Sequence, residues 1–379
     1  EWRSERRPNN VNLFSVNEYD LDLVLGTTDA VLTMPAMASL TRLTGRRRVD
    51  AQISPVGLRC VCNWAADTIR KNKRQEIDMT DRLPSWRPGQ TRERLITYLD
   101  DLKSVPVADR VACFDNDGTL WTERPTYLQL DFFVDTLTRQ AASDPTLRER
   151  PEFAALLSHD AAAMDDIGLE RLLGSLASLL DGLTPEQFAA LAVDFRNSYK
   201  HPTLGAGLEG LVFQPMLELL EELRALEFTV GVVTGGGTEF VRAISESLYG
   251  IPPELVVGTL IGYEFIRDDQ GRPSLVRKSA THGKLNDKDA KVEHIQTQIG
   301  RRPILAAGNT AGDQAMLEYA LAGPQPGLAI LIEHDDADRE FAYAGRAETT
   351  AENEPITDVA DRLGWLKVSV ANDWTRVFP

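Results

Sequence analysis

The sequence Asp115-Asn116-Asp117-Gly118-Thr119 sets two carboxylates two residues apart and follows them with a glycine that permits a tight turn. This spacing occurs in simple turns and in calcium loops. Leu120 and Trp121 do not continue a calcium loop, and its closing bidentate glutamate is missing, so calcium is the weaker reading. A second group, Thr234-Gly235-Gly236-Gly237, offers a hydroxyl and unobstructed backbone N–H groups just before a helix expected from Thr238. Such a group is a natural phosphate cradle, although a glycine triplet alone is also a flexible turn. A third, Gly308-Asn309-Thr310-Ala311-Gly312-Asp313, presents an amide and a carboxylate four residues apart. Oxygen donors of this kind suit magnesium, and no soft or zinc-type ligand set accompanies them. Between the second and third groups stands Lys291, at an expected helix start, where it is a candidate for cancelling carboxylate or phosphate charge.

These groups need elements to hold them. Arg110 to Phe114, Phe228 to Val233, Pro303 to Ala307 and Leu328 to Ile332 are short apolar runs, each followed by polar or glycine-rich residues. Runs of this kind suit strands buried on both faces of a parallel sheet. Helical segments over Pro215 to Leu226, Thr238 to Leu248 and Lys291 to Ile299 lie between them, which predicts a doubly wound, mostly parallel α/β domain. Thr126 to Gly205 reads as helix after helix, with Leu169, Leu172, Leu173, Leu176 and Leu180 on the helical period. Thr184-Pro185-Glu186-Gln187 has the form of a capping box. A helical insertion, 124–205, is therefore expected after the first core strand, with the core drawn from 79–123 and 206–379. Residues 256–277, around Asp268-Asp269-Gln270-Gly271, read as a β-hairpin.

Composition narrows the partners. The 379 residues hold 41 Lys and Arg against 57 Asp and Glu, a net charge of −16, which argues against nucleic acid or anionic lipid. Residues 1–78 carry 12 basic and 10 acidic side chains and show no clean periodicity, so they read as a weakly ordered basic extension. Met79 is a candidate start for the functional domain. Cys60, Cys62 and Cys113 cannot build a disulfide framework, and a lone Cys-x-Cys is a poor zinc signal. Reduced thiols, a cytoplasmic setting, no membrane span and no signal peptide are the expectations.

The three loops and the lysine, in this order and strand context, resemble the four motifs of the haloacid dehalogenase-type hydrolase superfamily over roughly residues 85 to 379. Thr-Gly-Gly-Gly and the helical insertion make the chain similar to phosphoserine phosphatases. It is closer still to bacterial phosphoserine-phosphatase-like hydrolases carrying FDNDGTLW, RRPILAAGN and a terminal DWTRVFP. The resemblance implies that Asp115 is the nucleophile forming an aspartyl-phosphate. Asp117 would then protonate the leaving oxygen and activate water; in the dehalogenase branch this second Asp is typically absent. Thr234 and the N–H groups of Gly235 and Gly236 would hold phosphoryl oxygens, and Gly118 and Thr119 would also contact the substrate phosphate. Lys291, preferred over Lys284 and Lys288, would stabilise Asp115. Magnesium would be held by Asp115, the carbonyl of Asp117, and Asn309 or Asp313. Asn309 departs from the commoner pattern, an acid, and so removes one negative charge near the metal; Asp313 has helix capping as its competing role.

Glu123 lies where the resemblance places a hinge glutamate that meets a substrate amino group, without a clean spacing match, and Arg124 is a candidate for a substrate carboxylate. His334 reads as a rim residue or an ordinary capping group, while Trp365, Trp374 and Phe378 are expected to pack on the core. The expected function is a magnesium-dependent phosphomonoester hydrolase of a small phosphorylated metabolite, phosphoserine first. Its rivals are a sugar or nucleotide phosphatase, a phosphotransferase, and a phosphate-binding regulatory protein that has lost turnover. Oligomeric state is not indicated by the sequence.

Overall fold

The computed structural model describes residues 3–6, 12–15, 30–32, 82–346 and 354–379. The chain divides into two compact units, Glu1–Arg82 and Leu83–Pro379. In the first, β1 (Arg3–Arg6) pairs antiparallel with β2 (Asn12–Ser15), which pairs parallel with β3 (Ala30–Leu32). The remaining expectations for residues 1–78, including Cys60 and Cys62, fall outside the described residues.

The second unit opens with α1 (Gln90–Asp101), then β4 (Val111–Phe114), whose four residues are all buried. A helical insertion follows: α2 (Leu128–Ser143), α3 (Pro151–Ser158), α4 (Ala161–Ile167), α5 (Leu169–Ser178) and α6 (Pro185–Ser198). The chain returns through α7 (Gln214–Ala225) to β5 (Thr229–Gly237), α8 (Thr238–Tyr249), β6 (Val256–Thr259) and the pair β7 (Ile261–Arg267) and β8 (Pro273–Thr281). It ends with α9 (Asp289–Gln298), β9 (Leu305–Gly308), α10 (Gln314–Leu321), β10 (Leu328–Glu333), α11 (Ile356–Leu363) and β11 (Leu366–Ser369).

The main sheet runs β11-β10-β9-β4-β5-β6, and every pairing in it is parallel. Alternation along β4 feeds two cores: Ala112 and Phe114 join one, Val111 and Cys113 the other. This doubly wound sheet is the fold class read from the four apolar runs. The chain passes from β4 to β5 and β6 on one side, then to β9, β10 and β11 on the other. Beyond the carboxyl ends of β4 and its neighbours lies the switch point where such sheets form a ligand crevice.

The insertion is tied to this layer by aromatic packing. Phe132 of α2 lies 5.0 Å, ring to ring, from Phe240 of α8 and also meets Phe188 and Phe195 of α6. The capping box at Thr184 is present, its side chain accepting from the Gln187 N–H while the Gln187 side chain accepts from the Thr184 N–H. Leu172, Leu176 and Leu180 are buried, whereas Leu173 is 43% exposed, so the stripe is narrower than its spacing suggested.

The hairpin boundaries require correction. Val256–Thr259, buried at all four positions, is the edge strand of the main sheet, and the hairpin is 261–281. It clips onto the insertion through backbone: Gly182 N–H donates to the Arg277 carbonyl, and Arg277 N–H to that of Leu183. Arg277, 2% exposed, reaches back to Glu239 of α8 at 2.6 Å. Trp365 and Trp374 are buried and Phe378 packs on Phe213, as expected. No helix among the described residues is long and apolar enough to cross a membrane.

Candidate active site

The acidic turn leaves β4 with Asp115 N–H bonded to the Ala307 carbonyl of β9. The Asn116 carbonyl then accepts from Thr119, Leu120 and Trp121, and Gly118 N–H donates to the Trp121 carbonyl. The chain is thus folded back within four residues. Gly118 has φ +76°, and a Cβ there would lie 1.9 Å from Asn309 Nδ2, so both conformation and space require glycine. Thr119 Oγ1 stands 3.3 Å from Asp115 Oδ2 and 3.5 Å from Asn309 Oδ1. Asp117 accepts from Trp121 Nε1 at 2.9 Å on one oxygen and from the Thr234 hydroxyl at 3.3 Å on the other.

Lys291, on the first turn of α9, donates to Asp115 Oδ1 at 2.6 Å, Asp313 Oδ1 at 2.6 Å and the Val233 carbonyl at 3.0 Å. An ammonium has three N–H groups, and all are used. Lys284 lies on the surface beside Glu293, and Lys288 contributes a backbone N–H to the Gly312 carbonyl. Both oxygens of Asp313 are engaged: its Oδ1 meets Lys291, while its Oδ2 accepts the N–H groups of Asn309 and Thr310 at 3.0 Å each. It anchors the loop and closes a capping box with Thr310. Gly308 makes this approach possible, since a Cβ there would lie 2.4 Å from that of Asp313.

The glycine triplet is partly occupied. Gly236 N–H donates to Thr234 Oγ1 at 3.0 Å, and Gly237 N–H to Gln129 Oε1 at 2.8 Å, which brings the first turn of α2 down onto the cradle. Asn286 braces the same strand end, donating to the Thr234 carbonyl at 2.8 Å.

Electrostatically the floor is short of positive charge. Burial, then the nearby Asp313, push Asp115 up to about 8, with Lys291 pulling the other way. Burial also raises Asp117, against the hydrogen bonds from Trp121 and Thr234. Glu123 is pushed up to about 8 by burial and by Asp117. For Lys291 burial disfavours the ammonium, but Asp115 and Asp313 outweigh it and the lysine stays charged.

The remaining candidates are engaged within the protein. Glu123, 3% exposed, turns to Asn309, accepting from its Nδ2 at 2.9 Å. Arg124 lies over the Tyr343 ring, 4.7 Å from its centre. His334 is no rim residue: it is 5% exposed, its Nδ1 bonded to Glu340 and its Nε2 to the Gly118 carbonyl, both at 2.7 Å. Glu340 in turn accepts from Thr122 Oγ1 at 2.8 Å. Sequence reasoning missed Trp121, Asn286, Gln129 and Glu340. For Trp121 a signal existed, four residues after Asp117; the others act across long separations.

A model of the haloacid dehalogenase-like hydrolase family matches residues 112–318, more than half the chain, a range that includes the three loops and Lys291. Among solved structures, a Bordetella pertussis Tohama I protein of unknown function is 15% identical with a TM-score of 0.44, over 68% of this chain and 97% of that one. A phosphoserine phosphohydrolase-like protein from Francisella tularensis is 16% identical with a TM-score of 0.32, over 67% and 99%. A probable phosphoserine phosphatase from Vibrio cholerae is 15% identical with a TM-score of 0.35, over 64% and 65%. No curated protein matches. On this match over more than half its length, the chain belongs to the haloacid dehalogenase-like hydrolase family.

Proposed function

We propose that this protein is a magnesium-dependent phosphomonoester hydrolase that works through a phosphorylated Asp115, with residues 124–205 as a cap over a small phosphorylated substrate. The carrying observation is the convergence on one floor of a lysine-clamped carboxylate, a second, half-buried carboxylate two residues on, and a threonine hydroxyl touching it. Asp115 attacks phosphorus, the phosphorus–ester oxygen bond breaks, and the leaving oxygen takes a proton from Asp117. Burial raises Asp117 and so favours the protonated form this step needs. Asp117 then takes a proton from water, whose oxygen attacks phosphorus and releases Asp115 and phosphate. Lys291 fixes the nucleophile, and Thr234 with the Gly235 and Gly236 loop binds phosphoryl oxygens.

The residues present fit magnesium. Asp115 Oδ2 and Asn309 Oδ1 both face the Thr119 hydroxyl, and the Asp117 carbonyl belongs to the same turn, giving hard oxygen donors. The described residues hold no group of three His, Cys, Asp or Glu arranged as a metal cluster, so the ligand set is mixed, with carbonyl and amide oxygens. Two carboxyls, Asp115 and Glu123, pushed up to about 8 by burial would return to the ionised state beside a cation. When bound, magnesium supplies charge screening between the substrate phosphate and Asp115.

Phosphoserine is the first substrate to test, and the setting we infer is cytoplasmic. The test is phosphate release from phosphoserine, sugar phosphates, nucleotides and an aryl phosphate, with magnesium or EDTA. We expect turnover that needs magnesium and is lost in Asp115→Asn. No release of phosphate from any compound by folded, magnesium-loaded protein would contradict the reading.

A further inference from the structure

An amide has two chemically different ends, and the floor uses both ends of Asn309. Its Nδ2 donates to Glu123 Oε1 at 2.9 Å, and its Oδ1 faces the Thr119 hydroxyl at 3.5 Å. That hydroxyl lies 3.3 Å from Asp115 Oδ2, so the oxygen end points toward the nucleophile's carboxylate and the nitrogen end away from it. Oε1 of Glu123 is the acceptor here, and only the NH2 end of an amide can donate to it. Glu123 therefore decides which end of the amide faces Asp115. Both side chains are buried, Glu123 3% and Asn309 1% exposed, so their hydrogen bond to each other is not exchanged with water. A Cβ on the adjoining Gly118 would sit 1.9 Å from Asn309 Nδ2 and 2.8 Å from Glu123 Oε1. Such outer partners commonly fix the orientation and basicity of a metal ligand.

We propose that Glu123 is the positioning residue for Asn309: it locks the amide oxygen toward the cation and supplies, one hydrogen bond removed, the negative charge an amide lacks. The inference rests on the magnesium-dependent reading above. It takes Glu123 out of the role of substrate contact and makes the Glu123–Asn309 pair an exchangeable unit. A carboxylate at 309 needs no partner to orient it, and an amide at 123 would supply the donor such a carboxylate accepts.

The test is magnesium binding by isothermal titration calorimetry on the full chain, with phosphate release as a second readout. Glu123→Gln lets the new amide compete for the oxygen of Asn309, and we expect its magnesium Kd to rise about 10- to 100-fold. Asn309→Asp alone sets two carboxylates against each other, so no gain in affinity and a lower Tm are expected. The exchange variant E123Q/N309D keeps the wild-type net charge, and its Kd should return to within about threefold of wild type, a strong non-additivity. Wild-type magnesium affinity in E123Q, or an exchange variant that binds as poorly as the sum of the single changes, would overturn the inference. The exchange variant decides the matter even if E123Q alone does not fold. If the wild-type chain binds no magnesium, the metal-dependent reading itself fails, a result distinct from the other two.

Discussion

The floor of the site and the helical insertion above it are built on opposite principles. On the floor, polar side chains are buried and bonded to one another: Lys291 spends its three N–H groups, Asp313 both its oxygens, and His334 both ring nitrogens. The insertion is an apolar core of Phe132, Phe153, Phe188 and Phe195, and it touches the glycine cradle through Gln129. A network in which each group holds its neighbour is rigid, and the proposed function places the chemistry there. The insertion reaches the cradle through one amide on a helix end, and the proposed function assigns substrate choice to it.

Changes on the floor should therefore cost orders of magnitude in rate or several kcal/mol, and changes at Gln129 little. Asp117→Asn should lower kcat by about 10²- to 10⁴-fold while the fold persists. Because burial raises Asp117, and the proposed mechanism has it deliver the proton, wild-type turnover should fall as pH rises through that raised value. Steady-state kinetics across pH checks both, and a flat alkaline limb would count against Asp117 as the acid. Lys291→Ala strands two buried carboxylates, and denaturant titration should show a loss of about 3–5 kcal/mol. A loss under about 1 kcal/mol would show that the clamp carries little energy.

His334 tests the floor from below. Facing two acceptors it is held as the imidazolium: burial opposes the charge, but Glu340 outweighs it and its pKa is raised. That stabilisation is complete below the unfolded value of about 6.5 and is lost as pH rises through the folded one. His334→Gln should accordingly cost about 1–3 kcal/mol at mildly acid pH, with the gap to wild type narrowing on the alkaline side. A pH-independent gap would remove the charge from the account. The smallest effect is expected for Gln129→Ala: a change in KM of about tenfold or less, differing between substrates, with kcat for an aryl phosphate near wild type. A collapse of kcat there would place Gln129 on the floor.

The same contrast explains what the sequence disclosed. Residues that follow a buried strand inherit its direction, so Asp115, Thr234 and Asn309 could be located from apolar runs alone, and Lys291 from its helix start. His334 could not: its partner Gly118 is 216 residues away, and nothing in a strand pattern reports that approach. Gln129 was hidden for another reason. Helical periodicity tells which face is buried but not which end of the helix meets the core. At the hairpin, Val256–Thr259 and the next run read alike, and pairing with β5 rather than turn chemistry made the first a core strand.

The central claim, covalent participation of Asp115, is tested most directly by mixing enzyme, magnesium and a substrate carrying a labelled phosphoryl group, quenching in acid within milliseconds, and mapping the label by mass spectrometry. The account predicts a hydroxylamine-sensitive phosphoryl group on the peptide containing Asp115, formed and lost at rates compatible with turnover and absent from Asp115→Asn. Rapid product formation with no labelled enzyme at any time, or label on another residue, would contradict it.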